Sequence, residues 1–140
     1  MATRANRLTQ FQKMPDSMYS DFLASFVSHP ANRDLGRIKN EQSIKQSLRN
    51  LIMTNLGERL FQPYIGSSVN KSLFDIADEI TADNIKTAIE VTIYNNEPRI
   101  AIIQLNVMAS TENKFSVDLH FAILNTNIIE NLNLILRRVR

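Results

Sequence analysis

Glu97, Pro98 and Arg99 place an acid and a base on either side of a residue with a fixed φ. A carboxylate and a guanidinium held that way can make charged, oriented hydrogen bonds, to each other or to another chain. The apolar residues before this run (Ile85, Ala88, Ile89, Thr92, Ile93) recur at helical spacing, and those after it alternate. The helix is therefore predicted to end between Tyr94 and Asn96, and a strand to begin near Arg99. Glu97 would then stand at a helix C-terminus, where the dipole disfavours an exposed carboxylate by roughly 0.3–1 kcal/mol. It needs a cation, with Arg59 or Arg99 as the internal candidates, or a partner.

Other chemistry has weaker support. Glycoside hydrolysis needs two carboxylates across a cleft, one of raised pKa. Glu58, Asp75, Asp78, Glu79, Asp83, Glu90 and Glu97 supply acids, but Asp75, Asp78, Glu79 and Asp83 gather at a helix junction where solvation or capping accounts for them. No catalytic set is assigned. The two histidines, His29 and His120, lie far apart and cysteine is absent, so no metal site, cofactor or disulfide is expected. His120 falls on the polar side of its strand. Arg137, Arg138 and Arg140 read as a solvated end or a phosphate site. The polar sheet positions are mostly Ser, Asn, Asp and His, against a nucleic-acid-binding face.

The elements that position these residues fit one domain's worth of chain, 140 residues at net charge +2. No apolar run approaches the roughly 20 residues of a membrane span, and the basic N-terminal residues lead into no signal-peptide core. Residues 1–37 are expected to be a flexible N-terminal arm or peripheral segment, and 38–140 the core domain. Tyr19, Phe22, Leu23, Phe26 and Val27 allow a short helix over 19–27, and residues 30–40 read as a loop turning at Gly36. Ile44, Leu48, Leu51 and Ile52 make the apolar stripe of a helix from about Asn40 to Asn55. The segment from Gly57 to Gly66 reads as an ordered loop, with Phe61, Tyr64 and Ile65 as anchors to the core. Ser67 or Ser68 caps a short helix that buries Val69, Leu73 and Phe74, and Thr81 caps the next.

Beyond Arg99 the period is two. Ala101, Ile103, Leu105 and Val107 are expected inward on one strand, and Phe115, Val117, Leu119, Phe121 and Ile123 on the next. A polar turn at Ser110, Thr111, Glu112 and Asn113 joins them. A third strand, with Leu132, Leu134 and Leu136 inward, is reached through Asn125, Thr126 and Asn127. The fold class is α+β, with helices packed on one face of a small three-stranded antiparallel sheet. With Ile128, Ile129 and Ile135 added, the last strand is too apolar for a free edge, so it is expected to be covered by an arm or to serve as a docking site for another strand.

A composite pattern runs through 38–124: Ile44, Ser47-Leu48, Ile52, Thr54, Gly57-Glu58-Arg59, Phe61, Pro63, Gly66, Leu73-Phe74, Thr81-Ala82-Asp83 and Glu97-Pro98-Arg99-Ile100. It resembles the baseplate wedge and sheath-initiator family of contractile-tailed phages, which extends to type VI secretion and other tail-like injection machines. The resemblance implies a structural protein of the virion tail baseplate, assembled in the host cytoplasm. It links the helical core bundle of the other wedge proteins to the first ring of tail sheath subunits by strand exchange, with tube or hub proteins as further neighbours. Carried over, Glu97, Pro98 and Arg99 form the wedge contact, while Gly57, Arg59, Pro63 and Gly66 anchor the loop or form a structural pair. A lysozyme-like peptidoglycan hydrolase of the baseplate is the alternative, since members of the family have carried that label. Neither nucleic acid nor membrane is expected as a partner, from the charge, the hydropathy and the polar sheet positions.

Overall fold

The computed structural model describes residues 17–28, 30, 33–110, 114–124, 126 and 128–137. The chain divides into two compact units, Met1–Ser43 and Ile44–Arg140. His29, Thr111, Glu112, Asn113, Asn125, Asn127, Arg138 and Arg140 lie outside the described residues.

In the first unit, β1 (Ser20–Phe22) pairs antiparallel with β2 (Arg37–Lys39). The expected helix over 19–27 is thus a strand and a turn, and part of the expected 30–40 loop is its partner. A helix that short is marginal alone, and the hairpin offers its backbone better partners. Leu23 N–H donates to Gly36 O at 2.8 Å and Asn40 N–H to Tyr19 O at 2.8 Å. Phe26 (φ 50°) and Arg33 (φ 52°) turn the chain in the left-handed region, which a helix through Phe26 would forbid. Arg37 stacks over its cross-strand neighbour Phe22 at 5.7 Å from the ring centre.

The second unit holds the core. Helix α1 (Glu41–Met53) enters it with Ile44, Leu48, Leu51 and Ile52 buried on one stripe, as the sequence predicts. A loop leads to the short α2 (Val69–Ser72), and then α3 (Glu79–Asn96) runs to the corner. Helix α3 starts three residues earlier than a Thr81 cap would place it. Its cap is Asp78, whose carboxylate accepts the Thr81 N–H at 2.8 Å, and Thr81 is buried inside the first turn. Phe74, expected inside, is exposed, because α2 ends before its turn can bury it.

Strands β3 (Ile100–Ser110), β4 (Lys114–Ile123) and β5 (Ile128–Arg137) form an antiparallel sheet in the order β3-β4-β5. β4 alternates buried and half-buried along its whole length, with Phe115, Val117, Leu119, Phe121 and Ile123 inward. β5 follows the expected register, and Leu134 and Leu136 are buried. β3 does not. Ile102 pairs with Phe121 and Gln104 with His120, leaving Ile103 as an extra residue in a bulge. The bulge resets the parity, so Ile100 and Leu105 are buried while Ala101 and Ile103 are exposed. Leu105 and Val107 keep their expected side. α3 packs along β3 and α2 against α3. Lys45 of α1 reaches Glu130 of β5 at 2.8 Å, a charge on the inward-facing register of that strand.

Candidate functional site

The corner is built from the end of α3 outward. The last turn of a helix leaves its final carbonyls without intrahelical donors. The Asn96 side-chain amide donates to Thr92 O at 2.9 Å, and Glu97 N–H donates to Ile93 O at 2.8 Å. Glu97 then leaves helical geometry (φ −129°, ψ 77°), the non-helical conformation expected of a residue before proline. Its side chain turns inward and is only 5% exposed.

Three groups meet there. Arg99 forks onto the carboxylate, with Nε on Oε1 and Nη2 on Oε2 at 2.7 Å. Ser47 Oγ of α1 donates to Glu97 Oε2 at 2.9 Å and accepts from Arg99 Nη2 at 3.3 Å. Arg99 O in turn accepts Leu124 N–H at 2.9 Å, which fastens the corner to the end of β4. Burial pushes the Glu97 carboxyl up, but hydrogen bonds from Arg99, then Ser47, and the Arg99 charge outweigh it. The net shift is below the ordinary 4.5. The carboxyl is therefore held ionised, and Pro98 is left exposed beside a half-buried Arg99.

Of the two internal cations considered for Glu97, Arg99 is the one beside it. Arg59 lies exposed on the 54–68 loop. Ser47 and the Lys45–Glu130 pair were not singled out as functional from sequence. Ser47 entered only as one member of the composite pattern, and Glu130 shows only as an acid in an otherwise apolar inward register.

The 54–68 loop is closed by its backbone rather than by its aromatics. Gly57 (φ 86°) donates its N–H to Pro63 O at 2.8 Å, and Ser67 N–H donates to Thr54 O at 2.8 Å. The buried Ser67 Oγ donates to Ile52 O at 2.6 Å. Gly66 (φ 141°) is packed so tightly that a Cβ would meet Asn55 C and O and Thr54 O at 2.8 Å. Of the three expected anchors only Ile65 is half-buried; Phe61 and Tyr64 are exposed, because the closed backbone turns them outward.

Two further surfaces lie outside the corner. A groove of about 840 Å³ between α3 and β3 is lined by Val91, Tyr94, Ile102, Ile103 and Leu105, with Lys86 and Glu90 also lining it. On the sheet, Ile129 and Ile135 are 67% and 63% exposed on the flank strand β5. Among the described residues neither β3 nor β5 has a second neighbour strand.

A charge-locked corner and a sheet whose two flanks lack a further strand among the described residues belong here to an α+β domain of the baseplate wedge class. The profile of the family described as baseplate wedge protein gp25 matches residues 39–128, and the chain belongs to this family. It is 34% identical over 105 residues to the baseplate wedge protein gp25 of Enterobacteria phage T4, covering 74% of this chain and 80% of that protein. Its fold is similar to a Geobacter sulfurreducens chain solved under the name of a tail lysozyme. There the TM-score is 0.65 at 22% identity, over 71% of this chain and 92% of the other. It is also similar to a chain of the anti-feeding prophage baseplate, with TM-score 0.61 at 17% identity over 87% of each chain.

Proposed function

We propose that this chain is a structural wedge subunit that joins the helical core bundle of its baseplate to the first sheath ring and starts sheath assembly by strand exchange. The observation that carries the reading is the open sheet, whose flank strand β5 shows large apolar side chains to solvent. Strand addition at such an edge gives main-chain affinity, and alternate side chains give specificity. The Glu97–Pro98–Arg99 corner at the root of β3 is the wedge contact, with the proline as its exposed point and the ion pair as its brace. Its neighbours are the other wedge proteins and sheath subunits, with tube or hub proteins adjoining. It works in the tail baseplate after assembly in the host cytoplasm.

The hydrolase reading, suggested by the name of the Geobacter chain, asks for a carboxyl of raised pKa. Glu97 and Asp78 are both displaced downward, Asp78 by hydrogen bonds from Thr81, so neither is a proton donor at neutral pH. Purified protein is expected to leave a cell-wall suspension turbid. Robust clearing would overturn the structural reading.

For the corner, Arg99→Ala and Glu97→Ala are expected to keep the circular dichroism of a folded monomer and to lose co-purification with wedge proteins. Collapse of the fold in both would assign the pair a purely internal role.

A further inference from the structure

The 54–68 loop presents large apolar side chains that the corner and the sheet do not use. Leu60 is 91% exposed, Phe61 95% and Tyr64 72%. A slack loop would fold such residues back onto the body. This one is held by the Gly57–Pro63 and Ser67–Thr54 backbone bonds, by Gln62 N–H to Arg59 O at 3.3 Å, and by Ile65 N–H to Gln62 O at 3.1 Å. Gly66 leaves no room for the loop base to shift. The aromatics are therefore pre-placed in water, and burying them against another molecule costs little ordering entropy.

The charges of the loop narrow the occupant. Glu58 is engaged internally, with Oε2 accepting Asn55 N–H at 2.8 Å. Arg59 has no side-chain partner among the described residues, so the tip offers one exposed cation beside two aromatics and a leucine. Aromatic residues and arginine are the types that anchor protein interfaces. One cation with an acid next to it is weak attraction for an anionic membrane, where each basic residue adds only about 1 kcal/mol.

We propose that this loop is a second docking surface, in which Leu60, Phe61 and Tyr64 enter an apolar pocket of a neighbouring baseplate subunit whose rim gives a carboxylate to Arg59. It rests on the chain being a baseplate subunit, and not on the corner's role.

The test uses the full-length chain in assembled baseplates. Phe61→p-benzoylphenylalanine is expected to crosslink to one neighbouring subunit, on a peptide with apolar residues and an Asp or Glu. The same probe at Pro98 reads the corner separately, so either reading can fail alone. Phe61→Ser and Arg59→Glu are expected to keep the thermal midpoint of the free chain and to enter baseplates roughly tenfold less or worse. A carboxylate-to-arginine change in the crosslinked partner should restore Arg59→Glu. Full incorporation of both variants would overturn the proposal. So would a crosslink to a second copy of this chain, or sedimentation with phosphatidylcholine–phosphatidylserine vesicles that Phe61→Ser abolishes.

Discussion

Burial alone would raise the Glu97 pKa; the Arg99 fork and the Ser47 hydroxyl reverse that and favour the charge. The folded-state pKa lies below the ordinary 4.5, so under acid conditions the unfolded chain binds more protons than the folded one. The stability from this site is complete above the unfolded value and is lost as pH falls through the folded value. Glu97→Gln is expected to flatten the acid side of a plot of unfolding free energy against pH, measured by urea titration from neutral to about pH 3. Hydrogen bonds to a charged group contribute about 1.5–3 kcal/mol, and partial exposure of Arg99 places the cost at neutral pH toward the lower end. An unchanged acid limb would mean that the corner is not held by this charge. Sequence reasoning reached the acid, its dipole problem and Arg99 as a candidate cation, because all three are local. It did not reach Ser47, which is fifty positions away and meets the pair only through tertiary packing.

At the scale of elements, legibility followed the length of the periodic signal. α1 and the three sheet strands were readable, because each repeats its pattern over ten or more residues. The stretch 19–27 was not: nine residues fit a helix stripe and a turn-broken strand equally well. Ile103 was unreadable too, since one extra apolar residue in an apolar run leaves no mark until it is paired. The loop was recognised by its glycines but its aromatics were placed on the wrong side, because a backbone-closed loop does not need them inside. The two glycines should differ under substitution. Gly66→Ala combines positive φ with overlaps at 2.8 Å, while a Cβ at Gly57 has nothing within 4 Å. Gly66→Ala is expected to cost about 3 kcal/mol or more and Gly57→Ala about 1 kcal/mol, read from urea midpoints. Equal costs would show that the loop base yields.

For the molecule as a whole, the central strand carries the stability and, on the proposed function, the flanks carry the contacts. Phe121 and Leu119 of β4 are fully buried, and Phe121→Ala is expected to cost about 3–5 kcal/mol in chemical denaturation. In native-state hydrogen exchange, amides of β4 should be the slowest. Outward amides of β3 and β5 should exchange fast in free protein and slow in the baseplate; fast exchange in the particle would leave those edges unused. The odd number of strands also fixes a direction. β3 and β5 run the same way, opposite to β4. Arms laid antiparallel on both margins would therefore share β4's heading, so two neighbours donating the same kind of tail could enter from one side of a ring. On the proposed strand exchange, a three-stranded seed of this kind would hand on a polarity to the polymer that grows from it.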